Sequence, residues 1–394
     1  MKKTIITGPR DTGSTTYRFN NKKNTVLIKK SGLDYTLLLR GNNDSGTGDR
    51  GDDRLDGGTG FDTLVGGLGN DTLIAGNTAT GKTDQNVLLG DIELLKVGTG
   101  GGQDTLQGGY GCIDQLIGDS QNLYGTGGND ELQAYGIITE LVGDAITMQA
   151  SATGGRDILT GSPISQTRTT MYGDAISVYG PAQCGNDTLI SGKSNDYMYG
   201  DYQFSYPAPF ANDPYIFDIY DQYGFFTPTT AGPQPFTYTP IIYDLSNQDP
   251  SNFDPATAPA NSQIFTLDVP VLDEDGFPTG EVTKENWVIP YNSPNSTTPK
   301  GGADYFTFNT FQEGSDIILD FNVAEGDRIV FNNGLTLADQ GTGFTVSANE
   351  RDTLITYGES SILLPYVTGL TSEAFLFGNT LEPVTLGNFQ TITI

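Results

Sequence analysis

From Gly48 the chain reads GDRGDDRLD, GGTGFDTLV, GGLGNDTLI: three consecutive nonapeptides that keep Asp53, Asp62 and Asp71 nine residues apart, and Leu55, Leu64 and Leu73 likewise. A period of nine is neither the 3.6 of a helix nor the two of a strand, and self-similarity at a fixed short period marks a solenoid of repeated turn-plus-strand units. Glycine is concentrated in the first six positions of each unit, at Gly48, Gly51, Gly57, Gly58, Gly60, Gly66, Gly67 and Gly69. Glycines reach backbone conformations closed to other residues, so these six positions make a turn with its carbonyl oxygens directed inward. The last three form a short strand with the leucine inside. Two units complete one coil, so residues 18 apart are expected to stack at the ~4.8 Å strand spacing. Asp53 and Asp71 then share one side of the coil, and Asp44 and Asp62 the other. Asp44 is in phase but lacks a following leucine.

Carboxylates stacked that closely repel one another unless a cation lies between them. Calcium meets the need, because it accepts about six to eight oxygens at ~2.3–2.6 Å in flexible geometry. The composition agrees. The 394 residues carry 48 Asp and Glu against 20 Lys and Arg, a formal charge of −28, which argues against nucleic acid or an anionic membrane as partner. Histidine is absent, which excludes His-based triads and His-ligated metal sites. No stretch approaches the ~20 apolar residues of a membrane helix. Two cysteines, Cys112 and Cys184, are too few for a disulfide framework and read as free thiols.

The pattern continues in looser form, placing Asp104, Asp130, Asp157, Asp187 and Asp196 in the same position of TGGGQDTLQ, GTGGNDELQ, ATGGRDILT, AQCGNDTLI and SGKSNDYMY. Between these lies a Gly-Asp block: LLGD, LIGD, LVGDA, MYGDA and MYGD, with Asp91, Asp119, Asp144, Asp174 and Asp201 as additional loop carboxylates. Leu123, Leu132, Leu141 and Leu159 differ by nine or eighteen, which predicts one apolar stripe. Cys112 and Ile113-Asp114 break the phase, and no site is expected there. Residues 39–201 are thus expected to form one β-roll with small insertions.

Over those residues the sequence resembles the RTX family of secreted calcium-binding proteins. Residues 301–377 are similar to the C-terminal end of that family, reading GGADYFTFNTFQEGSDIILDFNVAEGDRIVF and then RDTLITYGESSILLPYVTGLTSEAFLF. Asp304, Asp316, Asp320 and Asp327 fall on its acidic positions. Alternation at Ile317, Leu319 and Phe321, and at Ile329 and Phe331, predicts antiparallel hairpins that would cover the open edge of the last coil. The expected fold is all-β: a calcium-binding parallel β-roll with an inserted segment and a C-terminal antiparallel cap. The metal ligands expected are the glycine carbonyls of the turns together with Asp44, Asp53, Asp62, Asp71, Asp104, Asp130, Asp157, Asp187, Asp196, Asp304 and Asp316, holding several Ca2+ ions. The resemblance implies export through a type I channel directed by an uncleaved signal within 378–394. The absence of an apolar stretch after Lys2-Lys3 fits that route.

Two further segments stand apart. Residues 202–300 hold 15 of the 20 prolines and 18 aromatic residues but only Lys284 and Lys300 as basic ones. They read as an extended insertion with strands at 263–272 and 281–289 around an Asp-Glu-Asp-Gly turn, packed on the roll or offering a contact surface for a subunit or a glycan. Residues 1–38 form a basic strand segment. Its first 32 residues hold eight Lys or Arg against Asp11, a local charge of +7 that leaves −35 on the rest. A basic end on an acidic, open-ended roll suits head-to-tail self-association. The functional expectation is a secreted calcium-binding structural protein that assembles into a surface layer, fibre or matrix. The alternatives are an adhesin or glycan-binding module with Trp287 stacking on sugar, and a carboxylate-only polysaccharide hydrolase or lyase using residues such as Asp218, Asp221, Asp244 and Asp273. An enzyme is the weaker reading. Only about 38 residues precede the repeats, and Gly118-Asp119-Ser120, which resembles the nucleophile block of GDS-type esterases, has no histidine base to serve it.

Overall fold

The alternation of short apolar strands with glycine turns builds three parallel sheets wound into one solenoid. A computed structural model describes residues 3–7, 15–28, 32–77, 84–96, 98–149, 152–179, 182–206, 263–272, 278–289, 299–311, 314–349 and 351–378. Sheet I has 13 strands, beginning with Lys3–Ile6, Thr25–Ile28, Ser45–Thr47, Asp62–Val65 and Gln85–Leu89. Sheet II has 11, beginning with Thr16–Arg18, Thr36–Leu38, Arg54–Asp56, Thr72–Ile74 and Thr105–Gln107. The chain alternates between them, so each coil adds one strand to each sheet.

The repeat leucines fill the space between the sheets. In sheet II, Leu37, Leu55, Leu73, Leu106, Leu132, Leu159, Leu189, Phe306, Ile329 and Phe375 stand in register, one per coil. In sheet I the matching column is Val26, Gly46, Leu64, Leu88, Leu116, Leu141, Met171, Met198 and Ile318. Apart from Gly46, all of these side chains join one buried core. Gly46 is the missing leucine after Asp44, and its place is filled by Leu39, Leu55 and Leu64.

The coil then widens. After residue 89 a third sheet of five parallel strands is inserted between sheets I and II, formed by Leu94–Leu95, Ser120–Leu123, Ala145–Met148, Ala175–Tyr179 and Tyr202–Tyr206. Its core is separate: Ile92, Leu95, Leu123, Met148, Val178 and small alanines. The eighteen-residue stacking therefore holds only for the narrow coils. Asp71 stacks on Asp104 across 33 residues, and the next steps are 26, 27 and 30. The single apolar stripe expected of Leu123, Leu132, Leu141 and Leu159 is also corrected. Leu132 and Leu159 stack in sheet II, Leu141 belongs to sheet I, and Leu123 lies under sheet III. The nine-residue spacing survives as arithmetic, but the added strand changes which sheet each position enters.

The parallel ladders also run past both ends of the 39–201 repeat region. Thr25–Ile28, the strand expected in the basic segment, pairs with Ser45–Thr47, and Tyr305–Phe308 pairs with Thr188–Ile190 across the insertion. The hairpins expected at 317–331 are not formed: Ser315–Ile318 and Arg328–Phe331 pair in parallel within the roll. Alternation reports that one face is buried but carries no information on strand direction. Within sheet I, antiparallel pairing is confined to Phe344–Ala348, Thr353–Tyr357 and Ser360–Leu364. There an aromatic cluster of Phe308, Phe331, Phe344, Tyr357, Phe375 and Phe377 closes the core, with Phe331 and Tyr357 centroids 5.1 Å apart. Within the insertion, Gln263–Leu272 and Pro278–Ile289 form the expected antiparallel pair. The rest of its aromatic stretch, the candidate carboxylates Asp218, Asp221, Asp244 and Asp273, and all but the first residue of the signal expected within 378–394 lie outside the described residues.

Leu64 is fully buried in register with Leu88. Leu64→Ala is expected to lower unfolding free energy by roughly 2–5 kcal/mol in urea titrations at saturating calcium.

Candidate metal centre

Eight of the eleven sheet II strands are preceded by an aspartate, and parallel stacking sets these aspartates above one another. Oδ1 of Asp53, Asp71, Asp104, Asp130, Asp157, Asp187, Asp304 and Asp327 each accepts the backbone N–H of the residue at the same register one coil earlier, at 2.6 to 3.1 Å. This ladder crosses the insertion without a break: the N–H of Asp187 donates to Asp304 at 2.8 Å. One carboxylate oxygen thus fixes coil register. The other, Oδ2 of Asp71, Asp104, Asp130, Asp157, Asp187 and Asp304, is buried with no hydrogen-bond donor.

Each of those oxygens lies against a glycine turn. Gly66, Gly90, Gly118, Gly143, Gly173 and Gly200 line up beside Oδ2 of Asp71, Asp104, Asp130, Asp157, Asp187 and Asp304, and Gly48 sits likewise beside Asp53. The carbonyl oxygen of the next turn faces the same spot. A β-carbon at Gly118 would collide with Gly143 O and Asp130 Oδ2, so glycine is required there for space. At Gly67 it is required for conformation as well, with φ +117° against the Asp49 carbonyl. Gly51 and Gly69 stack in a second column, the carbonyl of Gly51 facing Gly69.

The wide coils add a second aspartate column. Asp91, Asp119, Asp144 and Asp174 are fully buried, and Asp201 nearly so. They accept the N–H groups of Gly102, Gly128, Gly155, Gly185 and Gly302 across the turn. Oδ2 of Asp144 and Asp174 and Oδ1 of Asp91 have no donor. Each wide turn therefore presents carboxylates from two sides together with glycine carbonyls. The recurring Gly-Asp block was the signal for this column, but its place beside the repeat aspartates arises only from the third strand.

The sheet I side differs. Asp44 donates its N–H to Asp62 at 2.8 Å, and Oδ2 of both is buried without a donor. Asp62 Oδ2 lies against Gly57. Gly58 and Gly60 hold φ +94° and +126° in the same turn. Farther along, the column reads Asn86, Asp114, Thr139, Thr169, Asp196 and Asp316. Asp114 accepts from Asn86 at 2.8 Å and from Gly109 at 2.7 Å. Asp196 accepts from Ser191, Gly192 and Ser194, and Asp316 from Ser191 at 3.0 Å and from the Asp196 N–H at 2.9 Å. On this side hydroxyl and amide donors take the carboxylate oxygens, so Asp196 and Asp316 differ from the expected ligands of sheet II. The two cysteines are free, as expected.

Burial is the dominant electrostatic cost. It pushes Asp53 and Asp62 up to about 7 and Asp71 to about 9, with neighbouring aspartates adding to the rise. Asp104, Asp130, Asp157, Asp187 and Asp304 are raised well above the ordinary carboxylate range by the same burial. A cation coordinated by oxygen removes this cost directly.

A family model of the RTX calcium-binding nonapeptide repeat matches the chain in four copies, over residues 47–79 and 185–201. The chain carries RTX calcium-binding repeats. No curated protein matches it as a relative. The RTX repeats bind several Ca2+ ions, and the donor-free oxygens of the sheet II aspartates with the facing glycine carbonyls are the groups suited to hold them. All are hard oxygen donors, which is the ligand class calcium takes.

Two outcomes follow from these ladders. Asp71→Ala is expected to weaken calcium binding at least about tenfold in calorimetry and to lower the melting temperature in calcium far more than in chelator. The pH response without calcium has a definite sign. Carboxylates raised in the folded state bind protons more tightly than in the unfolded chain, so their stabilisation is present below the ordinary value of 3.8 and is lost as pH rises through about 7 for Asp53 and Asp62 and about 9 for Asp71. Circular dichroism melts in calcium-free buffer are expected to show a more stable roll at pH 5 than at pH 8.

Proposed function

We infer that the protein is a secreted structural protein that folds outside the cell when it binds calcium and then assembles head to tail. The observation that carries the folding step is the stack of buried, donor-free carboxylates. Where calcium is scarce, their mutual repulsion and desolvation oppose coiling and leave the chain threadable. Where calcium is abundant, binding energy becomes folding energy. Export through a type I channel before folding, the usual route of RTX repeat proteins, suits this order of events.

Assembly is supported by the first coil. Among the described residues, Lys3–Ile6 pairs only with Thr25–Ile28, at the edge of sheet I, and Ile5 is 54% exposed. An open edge is a template for pairing with another chain. Residues 1–32 carry +7 in sequence and the rest of the chain −35, a complementarity that suits end-to-end attraction of a second copy. No helix among the described residues is long and apolar enough to cross a membrane.

Sedimentation velocity over a calcium and protein concentration series tests the assembly step. Particle growth that requires calcium is the expected outcome. A monomer that persists at saturating calcium and high protein concentration rules assembly out and leaves calcium-driven folding standing.

A further inference from the structure

The wide coils enter sheet II through a Gly-Gly-x-Asp turn. Four of the five have glycine at its first position, as Gly101, Gly127, Gly154 and Gly301, and one has Cys184. The bridges joining Gly100, Thr126, Thr153, Gln183 and Lys300 fix these five positions in one register column. A β-carbon at Gly127 would strike Asp144 Oδ1 and lie against Asp119 Oδ2. At Gly154 it would strike Asp174 Oδ1 and meet Asp144 Oδ2. The column is therefore lined by the carboxylate of its own coil and that of the next. For the coil of Cys184 these are Asp174 and Asp201.

Cys184 puts a sulfur into that space. Its Sγ and one oxygen each from Asp174 and Asp201 all lie within 4.8 Å of one another. Independently, Asp174 is fully buried, its Oδ1 accepts the Gly185 N–H, and its Oδ2 has no donor. By register that oxygen takes the place of Asp119 Oδ2 at Gly127 and Asp144 Oδ2 at Gly154. The site thus has an unused buried anion beside a thiol. Cys184 itself is intermediate in burial and packs against the sheet III core.

We propose that Asp174, Cys184 and Asp201 form a site for one thiophilic divalent cation of the zinc class, in a column whose other four turns carry glycine at the position of Cys184. Sulfur is a soft ligand that calcium does not seek, whereas zinc takes sulfur at ~2.3 Å and carboxylate oxygen at ~2.0–2.2 Å, separations compatible with this cluster. Binding releases the thiol proton to solvent and leaves a thiolate on the ion. The cysteine in place of glycine thereby converts one turn of the ladder from hard to mixed ligation.

Cobalt titration of the full chain in saturating calcium tests this, since a cobalt–thiolate bond has a near-ultraviolet charge-transfer band that carboxylates lack. The expected result is a band that saturates at about one ion per chain and is abolished by zinc. It is also lost in Cys184→Gly, which restores the residue of the other four turns, and in Cys184→Ser. Cys112→Ala retains it. No band in the wild-type chain, a band that persists in Cys184→Gly, or one erased by millimolar calcium overturns the proposal. Calcium-dependent folding, followed by circular dichroism in the same samples, is independent of this outcome.

Discussion

A buried carboxylate with one oxygen paired and the other without a donor is the element on which the roll depends. The paired oxygen accepts an N–H from the preceding coil, so each aspartate keys the register of its neighbour. The unpaired oxygen faces a glycine carbonyl and other carboxylates at a spacing set by parallel strands. Hydrophobic stacking of the leucine columns favours the same coil spacing that electrostatics opposes. An oxygen-coordinated divalent ion resolves that conflict, because it offsets charge where no water or N–H can reach. The same side chain therefore sets coil register and offers the metal-ligating oxygen.

The change from narrow to wide coils redistributes this chemistry. In the narrow coils both sides carry repeat aspartates, Asp44 and Asp62 on one and Asp53 and Asp71 on the other. Once the third sheet enters, the sheet II side gains a second column from Asp91 to Asp201, while the sheet I side passes to Asn86, Thr139 and Thr169. There Asp114, Asp196 and Asp316 are interspersed with neutral side chains, and their oxygens meet amide and hydroxyl donors. Among the described residues, the donor-free carboxylate oxygens of the later coils are gathered on the other side. At the far end the same stack is closed by aromatic packing instead of charge, through Phe331 and its neighbours.

Most of the sheet II site was legible before any coordinates. Asp53, Asp71, Asp104, Asp130, Asp157 and Asp187 follow from the phase of aspartate to leucine and Asp304 from the resemblance to the family's C-terminal end, and all join one ladder. Asp196, from the nonapeptide phase, and Asp316, from the resemblance, meet serine hydroxyls, whose positions depend on a neighbouring turn that the nonapeptide does not encode. Asp119, Asp144 and Asp174 were visible as a recurring block, yet their role depended on which turn they would face.

The local code of this chain, glycine for the turn, aspartate for the ligand and leucine for the core, is written within nine residues, so sequence alone determined the parallel roll, its buried apolar column and its need for calcium. How many residues complete a coil is a different matter. It depends on whether the chain turns back at once or first lays down a third strand, and that is decided by packing of Leu95, Leu123 and Met148 against one another across coils. Only the tertiary structure therefore settled which carboxylates meet, where serine hydroxyls take the carboxylate oxygens, and that the stack continues through an insertion that separates Asp187 from Asp304 by 117 residues.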